Sequence, residues 1–255
     1  MGDCFITRRG GGKSSGLYVW KKCELILPYL SFIGNEDFTL KTNNTTKNWD
    51  GTLEYSTNKR AWNTWDGTEI SSSGNTLYLR GTGNTKITGD SSSYRFVFTG
   101  TNALKIACKG NIENLLDYET VSAGGHPTMA SKCYDSMFFG CTSLTTAPEL
   151  PATTLAGSCY DGMFYGCTSL TTAPELPATT LADYCYFGMF YGCSLIKLST
   201  KQTGEYQTPY RIPTSGTGAY AIEALSEMFA NTGGTFKGTP SINTTYYLST
   251  SNTVV

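Results

Sequence analysis

The sequence predicts a mixed β and α/β chain in two unlike parts. An all-β module, a sandwich or small barrel, comes first, and a short solenoid of 26-residue coils follows it. Three observations carry this expectation. The stretch GCTSLTTAPELPATTLA occurs twice without a difference, at Gly140–Ala156 and at Gly166–Ala182. Cys133, Cys159 and Cys185 are 26 residues apart, as are Cys141, Cys167 and Cys193, and as are Met137, Met163 and Met189. A fixed period in the twenties marks a stack in which each repeat is one coil. Before about Lys109 the pattern changes to short alternating segments between Gly, Asn and Asp turns, the signature of a compact β unit.

The first element is a terminal segment, residues 1–34. FITRRGGGKSSGLYVWKK joins a Gly/Ser stretch to an apolar LYVW. GGGKSS is not a phosphate loop, because Thr7 stands where the first glycine is required and no hydrophobic strand precedes it. A flexible linker fits better. No apolar h-region follows Arg8 and Arg9, Ile6 occupies the position where a myristoylation pattern wants Ser or Thr, and no segment is long enough to span a bilayer. A chain made and folded in a cytoplasm is expected, and the sequons at Asn43, Asn44 and Asn243 then carry no weight.

The second element is the β module, residues 35–109. FTLKTNN, GTLEYSTN, NTLYLRGTG, TKITGD and YRFVFTG each read as a strand or half-strand. In NTLYLRGTG, Leu77 and Leu79 point one way while Tyr78 and Arg80 point the other. GTGNTKITG lacks the third glycine of a dinucleotide fingerprint and reads as a hairpin turn. Trp49, Trp62 and Trp65 are either core residues or a platform on which a sugar ring stacks. Asp50, Glu54, Asp66 and Glu69 lie close in sequence. A glycosidase would need two of them across a cleft, about 5 to 9 Å apart, but Asp50-Gly51 and Asp66-Gly67 are ordinary turn pairs.

The third element spans residues 110–255. His126, the only histidine, sits in AGGHPTMA on the way into the first coil. One histidine supports neither a histidine-based metal cluster nor more than one dyad. Within a coil, Leu155, Cys159, Met163 and Cys167 recur every four residues, which predicts one face of a short helix. Pro151 suits its first turn and Gly166 its C-cap. TSLTTAPEL then reads as a short exposed strand halted by Pro174. Met228-Phe229 replays Met163-Phe164 in a degraded fourth copy, after a polar insert, STKQTGEYQTPYRIPTSGTG, expected to be a loop. Identical positions should stack, so the cysteines and methionines form buried structural ladders with reduced thiols. Tyr134, Tyr160, Tyr186, Tyr165 and Tyr191 are the exposed aromatic candidates of the coils; repeating at the coil period, they read as packing along its flank rather than as an aromatic ladder for a ligand.

CYDGMFYGCTSLTTAPELPATTLA resembles the BspA-like leucine-rich repeats of surface proteins in gut and oral bacteria and of phages that infect gut bacteria. The resemblance covers residues 111–191, with GNIENLLDYE as its run-in. It implies a right-handed leucine-rich-repeat solenoid used for adhesion, with glycan or protein contacts and no catalysis. LEYSTN, WNTWDGTEI and NTLYLRG are similar to the β module that often precedes such repeats, and the first residues resemble the amino termini of phage tail and fibre proteins.

The function expected from these readings is a non-enzymatic virion structural or adhesion protein: a tail fibre, head fibre or decoration that binds a host-surface glycan or protein. A bacterial cell-surface adhesin is the alternative, and a glycan-degrading tail enzyme the third reading. Its other expected partners are virion proteins, met through the first segment, and copies of itself, three if it forms a fibre. No cofactor and no metal are expected. The formal charge of −1, without a run of either sign, argues against nucleic acid and membrane surfaces as partners. Trp49, Trp62, Trp65, Tyr165 and Tyr191 are the expected ligand contacts.

Overall fold

The computed structural model describes residues 27–89, 92–212 and 221–249. The Gly/Ser stretch and LYVW of the expected attachment segment lie outside the described residues.

Among the described residues twelve strands and one α-helix follow in chain order, with a single 3-10 turn at Ser92–Tyr94: β1 Leu30–Gly34, β2 Thr39–Thr42, β3 Thr52–Ser56, β4 Asn63–Trp65, β5 Ile70–Ser71, β6 Thr76–Thr82, β7 Phe96–Thr99, β8 Ile106–Lys109, α1 Asn114–Ser122, β9 Leu144–Thr146, β10 Leu198–Ser199, β11 Tyr206–Arg211 and β12 Thr245–Ser249. They form three sheets, ordered β4-β3-β6-β1-β8-β9, β5-β2-β7 and β10-β12-β11. Every pairing is antiparallel except β8 with β9.

The register follows the hydrophobic alternation. Leu30 pairs with Leu79 and Phe32 with Leu77, and all four are fully buried. Tyr78 and Arg80 take the opposite face, as a period of two requires. The Phe32 ring meets Phe96 at 6.3 Å and Phe98 at 5.1 Å, so the six-stranded sheet and the β5-β2-β7 sheet face each other across an aromatic core. Neither closes into a barrel. Helix α1 lies on β6, and there Gly81 is indispensable: a Cβ at that position would sit 1.7 Å from the Leu115 carbonyl oxygen.

The mixed β and α/β expectation is overturned. The described chain is largely all-β, with α1 as its one α-helix, and a right-handed solenoid of helix, turn and strand does not form. The residues expected to make the repeat helices are consecutive turns. The backbone shows why. Lys132, Ser136 and Gly140 have positive φ, as do Ser158, Gly162 and Gly166, then Tyr184, Gly188 and Gly192, then Glu223, Glu227 and Asn231. A left-handed residue at every fourth position cannot propagate an α-helix. The expected repeat strand forms only in the first copy, as β9, where β8 offers an edge to pair with.

What the repeats build instead is a stack of turn layers. Alternate N–H groups close local turns: Asp135 donates to Lys132 O, Met137 to Tyr134 O, Phe139 to Ser136 O and Cys141 to Phe138 O. The intervening N–H groups of Lys132, Tyr134, Ser136, Phe138 and Gly140 donate to the carbonyls of Gly157, Cys159, Asp161, Met163 and Tyr165 in the next layer. Ser158, Tyr160, Gly162, Phe164 and Gly166 repeat the pattern onto Asp183, Cys185, Phe187, Met189 and Tyr191. Tyr184, Tyr186, Gly188, Phe190 and Gly192 carry it onto Ile222, Ala224, Ser226, Met228 and Ala230. The backbone is thereby satisfied without helix or conventional strand. Phe229 N–H and Glu227 N–H end the stack on Gly238 O and Thr239 Oγ1.

The polar insert is not simply a loop. Tyr206–Arg211 forms β11, paired with β12. Pro209 is accommodated because β11 is an edge strand.

Candidate functional site

The tryptophans separate. Trp49 and Trp65 are buried, stacked at 5.2 Å, and Trp65 Nε1 donates to Thr68 O at 2.7 Å. Trp62 is half-buried on the outer face of the large sheet, with the Arg80 guanidinium 4.1 Å from its ring centre and 4.3 Å from that of Tyr118. The three do not form one platform.

The four carboxylates of the module act as structural acceptors. Asp50 takes the Thr85 N–H and hydroxyl and the Lys86 N–H. Partial burial raises its pKa, but these bonds outweigh it and hold the carboxyl below its usual range. The Thr68 hydroxyl and N–H do the same for Asp66. Glu54 pairs with Arg80 at 2.8 Å and Glu69 with Lys41 at 4.0 Å. His126 Nδ1 lies 2.8 Å from Glu113 Oε2, whose side chain is almost wholly enclosed; burial pushes Glu113 up, against the pull of His126 and Asn111.

The cysteine and methionine ladders are in place: Cys133, Cys159, Cys185, Cys141, Cys167, Cys193, Met137, Met163 and Met189 are all buried, and the six thiols are free. Cys167 Sγ donates to Phe138 O at 3.1 Å and Cys193 Sγ to Phe164 O at 3.0 Å. Among the described residues no cluster of three metal-ligating side chains occurs.

Tyr134, Tyr160 and Tyr186, expected to be exposed, are fully buried and stack at 5.5 and 5.8 Å. Each follows a buried cysteine, and the four-residue turns bury side chains in such consecutive pairs, as they do Met137 with Phe138. The partly exposed row is Phe139, Tyr165 and Tyr191, stacked at 4.8 and 4.5 Å with planes 12° and 4° apart. Rings stacked face to face present edges to solvent. Phe139 ends the row: Tyr165 stacks on one face of its ring, and the residue lines a cleft of about 510 Å³.

This cleft runs between β7, the loop Gly100–Lys105 and the rim of the first two turn layers. The hydroxyl-bearing residues Thr99, Thr101, Thr142, Ser143, Thr168 and Ser169 line it beside Arg95, Lys105 and Phe139. Lys105 Nζ donates to Ser169 Oγ at 2.8 Å and Arg95 Nη1 to Ser92 O at 3.2 Å. A ring beside many hydroxyl and cationic donors is the chemistry that holds a sugar.

The sequence reading missed Phe139, although it precedes Tyr165 by the repeat period. It also missed Arg95 and Lys105, which no local pattern singles out; only the packing of β7 against the turn layers brings them together. A carboxylate pair one period apart, Asp135 and Asp161, was overlooked too. Burial first, and then the Asp135 charge, push the Asp161 carboxyl up to about 7, with Lys132 opposing.

Comparison with family models, with curated proteins and with solved structures returns no match to this chain. Among the described residues no helix is long and apolar enough to cross a membrane.

Proposed function

We propose that the chain is a non-enzymatic binding protein that holds a host-surface glycan in the cleft beside Phe139, as a tail-fibre, head-fibre or decoration component of a phage of gut bacteria. The single observation that carries the binding reading is Phe139, whose ring stacks on Tyr165 and which lines a cleft rich in threonine and serine. The turn layers supply a rigid mount, since each is bonded to the next through five backbone N–H groups. The phage assignment rests on the resemblance of the repeats and of the first residues to such proteins.

Two experiments test the two halves. A glycan array probed with the whole protein should give discrete positives that Phe139→Ala removes while the melting temperature holds within about 5 °C. Positives unchanged in Phe139→Ala would place binding elsewhere. Immunogold labelling against residues 130–195 should decorate released particles. Gold on the cell envelope with bare particles would favour a bacterial adhesin.

A further inference from the structure

The cleft has a charge bias that the chain taken as a whole does not. Over the whole chain 20 acidic residues balance 19 basic ones. Yet Arg95 and Lys105 line the cleft, and among the described residues no aspartate or glutamate does. Among the described residues neither cation is in an ion pair with a carboxylate. Each is fixed by a neutral acceptor instead, Arg95 by the Ser92 carbonyl and Lys105 by the Ser169 hydroxyl. One N–H of five on the guanidinium and one of three on the ammonium is thereby used, and the remainder can donate.

The backbone also holds both cations in place. Arg95 O accepts from Asn43 N–H at 2.9 Å, and Lys105 is bonded in both directions to Asn35, its N–H to Oδ1 at 2.8 Å and its carbonyl to the Asn35 N–H at 3.1 Å. Glu36 does reach a lining residue, Thr101. Its two oxygens are taken there by the Thr101 N–H at 2.7 Å and hydroxyl at 2.9 Å. A concave site with two held cations, and with no carboxylate among its described lining residues, concentrates anions.

We infer that the cleft selects acidic sugars: a uronic or sialic acid residue whose carboxylate meets Arg95 and Lys105 while its less polar ring face lies against Phe139. This rests on the glycan-binding reading above and narrows it to a ligand class. The guanidinium fork suits a planar carboxylate, the ammonium adds a second positive charge, and the threonine and serine hydroxyls meet the sugar hydroxyls. Binding of this kind weakens with salt, because the cleft is open to solvent.

The test is an array of uronic- and sialic-acid oligosaccharides, each printed beside its methyl ester, probed with wild type, Arg95→Gln/Lys105→Gln and Phe139→Ala. The ester keeps every hydroxyl and removes only the charge. The acid should outbind its ester by roughly tenfold or more, the worth of one charge-assisted hydrogen bond, and the double variant should erase that ratio at unchanged melting temperature. Equal signals on acid and ester, lost in Phe139→Ala, would overturn acid selectivity while leaving glycan binding standing. Acid preference surviving intact in a folded double variant would overturn the assignment to Arg95 and Lys105. Silence across acids and esters alike would overturn both readings.

Discussion

The rings of Phe164 and Phe190 lie 5.6 Å apart with planes 2° from parallel. Phe138 and Phe229 extend the column on either side at 5.6 and 5.3 Å. The geometry is imposed by the backbone: bonded layers set the spacing, and identical rotamers at identical positions then stack. Removing one ring leaves a void bounded by two others. Phe164→Ala should lower unfolding free energy by about 3–5 kcal/mol, and Phe164→Leu by clearly less. Urea denaturation measures both, and a Phe164→Ala midpoint indistinguishable from wild type would show that the column does not hold the layers together.

The buried thiols should be chemically silent. Burial pushes Cys133 and Cys159 well above the usual thiol range and Cys185 up to about 12. Native iodoacetamide labelling should leave these three unmodified for hours, whereas denatured protein should label at all of them. Fast native labelling, read by mass spectrometry, would mean that the layers open readily.

Asp161 gives the stability a pH dependence of known sign. Its folded pKa of about 7 is raised above the unfolded value near 3.8. The folded state therefore binds the proton more tightly. Stability from this group is full below pH 4 and is lost as pH rises toward 7 and beyond. Asp161→Asn should remove that slope and stabilise the protein at pH 8 by about 1–2 kcal/mol, solvent screening at this half-buried site included. Thermal melts of both proteins at pH 5 and pH 8 decide it: a variant that gains as much at pH 5 as at pH 8 refutes the linkage.

The left-handed positions should respond to glycine in a predictable way. Ser158 and Tyr184 hold φ near +54° and +55°, a conformation that L-residues adopt at a cost and glycine adopts freely. Ser158→Gly should be neutral or stabilising by up to about 1 kcal/mol, while Gly166→Val, a β-branched residue at φ +71°, should destabilise by at least as much. If Ser158→Gly destabilises by more than Gly166→Val, the turns are not governed by backbone conformation.

The β module was legible because a period of two has one interpretation: Leu77 and Leu79 inside, Tyr78 and Arg80 outside. The repeats misled because Leu155, Cys159, Met163 and Cys167 fit one helical face only approximately: their spacing is four, against a helical period of 3.6. Gly162 and Gly166, four apart and again at Gly188 and Gly192, are the cue for a turn repeated every four residues. The tyrosine columns were misplaced because a four-residue turn buries consecutive pairs, Cys159 with Tyr160 and Met163 with Phe164. The cleft was not legible at all. Arg95 and Phe139 come from different parts of the chain, and only tertiary packing makes them neighbours.

The turn layers meet through the same five donors and acceptors at each junction, and Gly238 and Thr239 close the far end. The fit between neighbours is therefore indifferent to how many neighbours there are. Two identical seventeen-residue tracts, Gly140–Ala156 and Gly166–Ala182, are also an invitation to unequal recombination. Descendants of this chain can gain or lose a whole layer in one genetic event, moving the far end by one strand spacing, ~4.8 Å, while the terminal cap stays untouched. Reach becomes a heritable quantity that changes in whole steps.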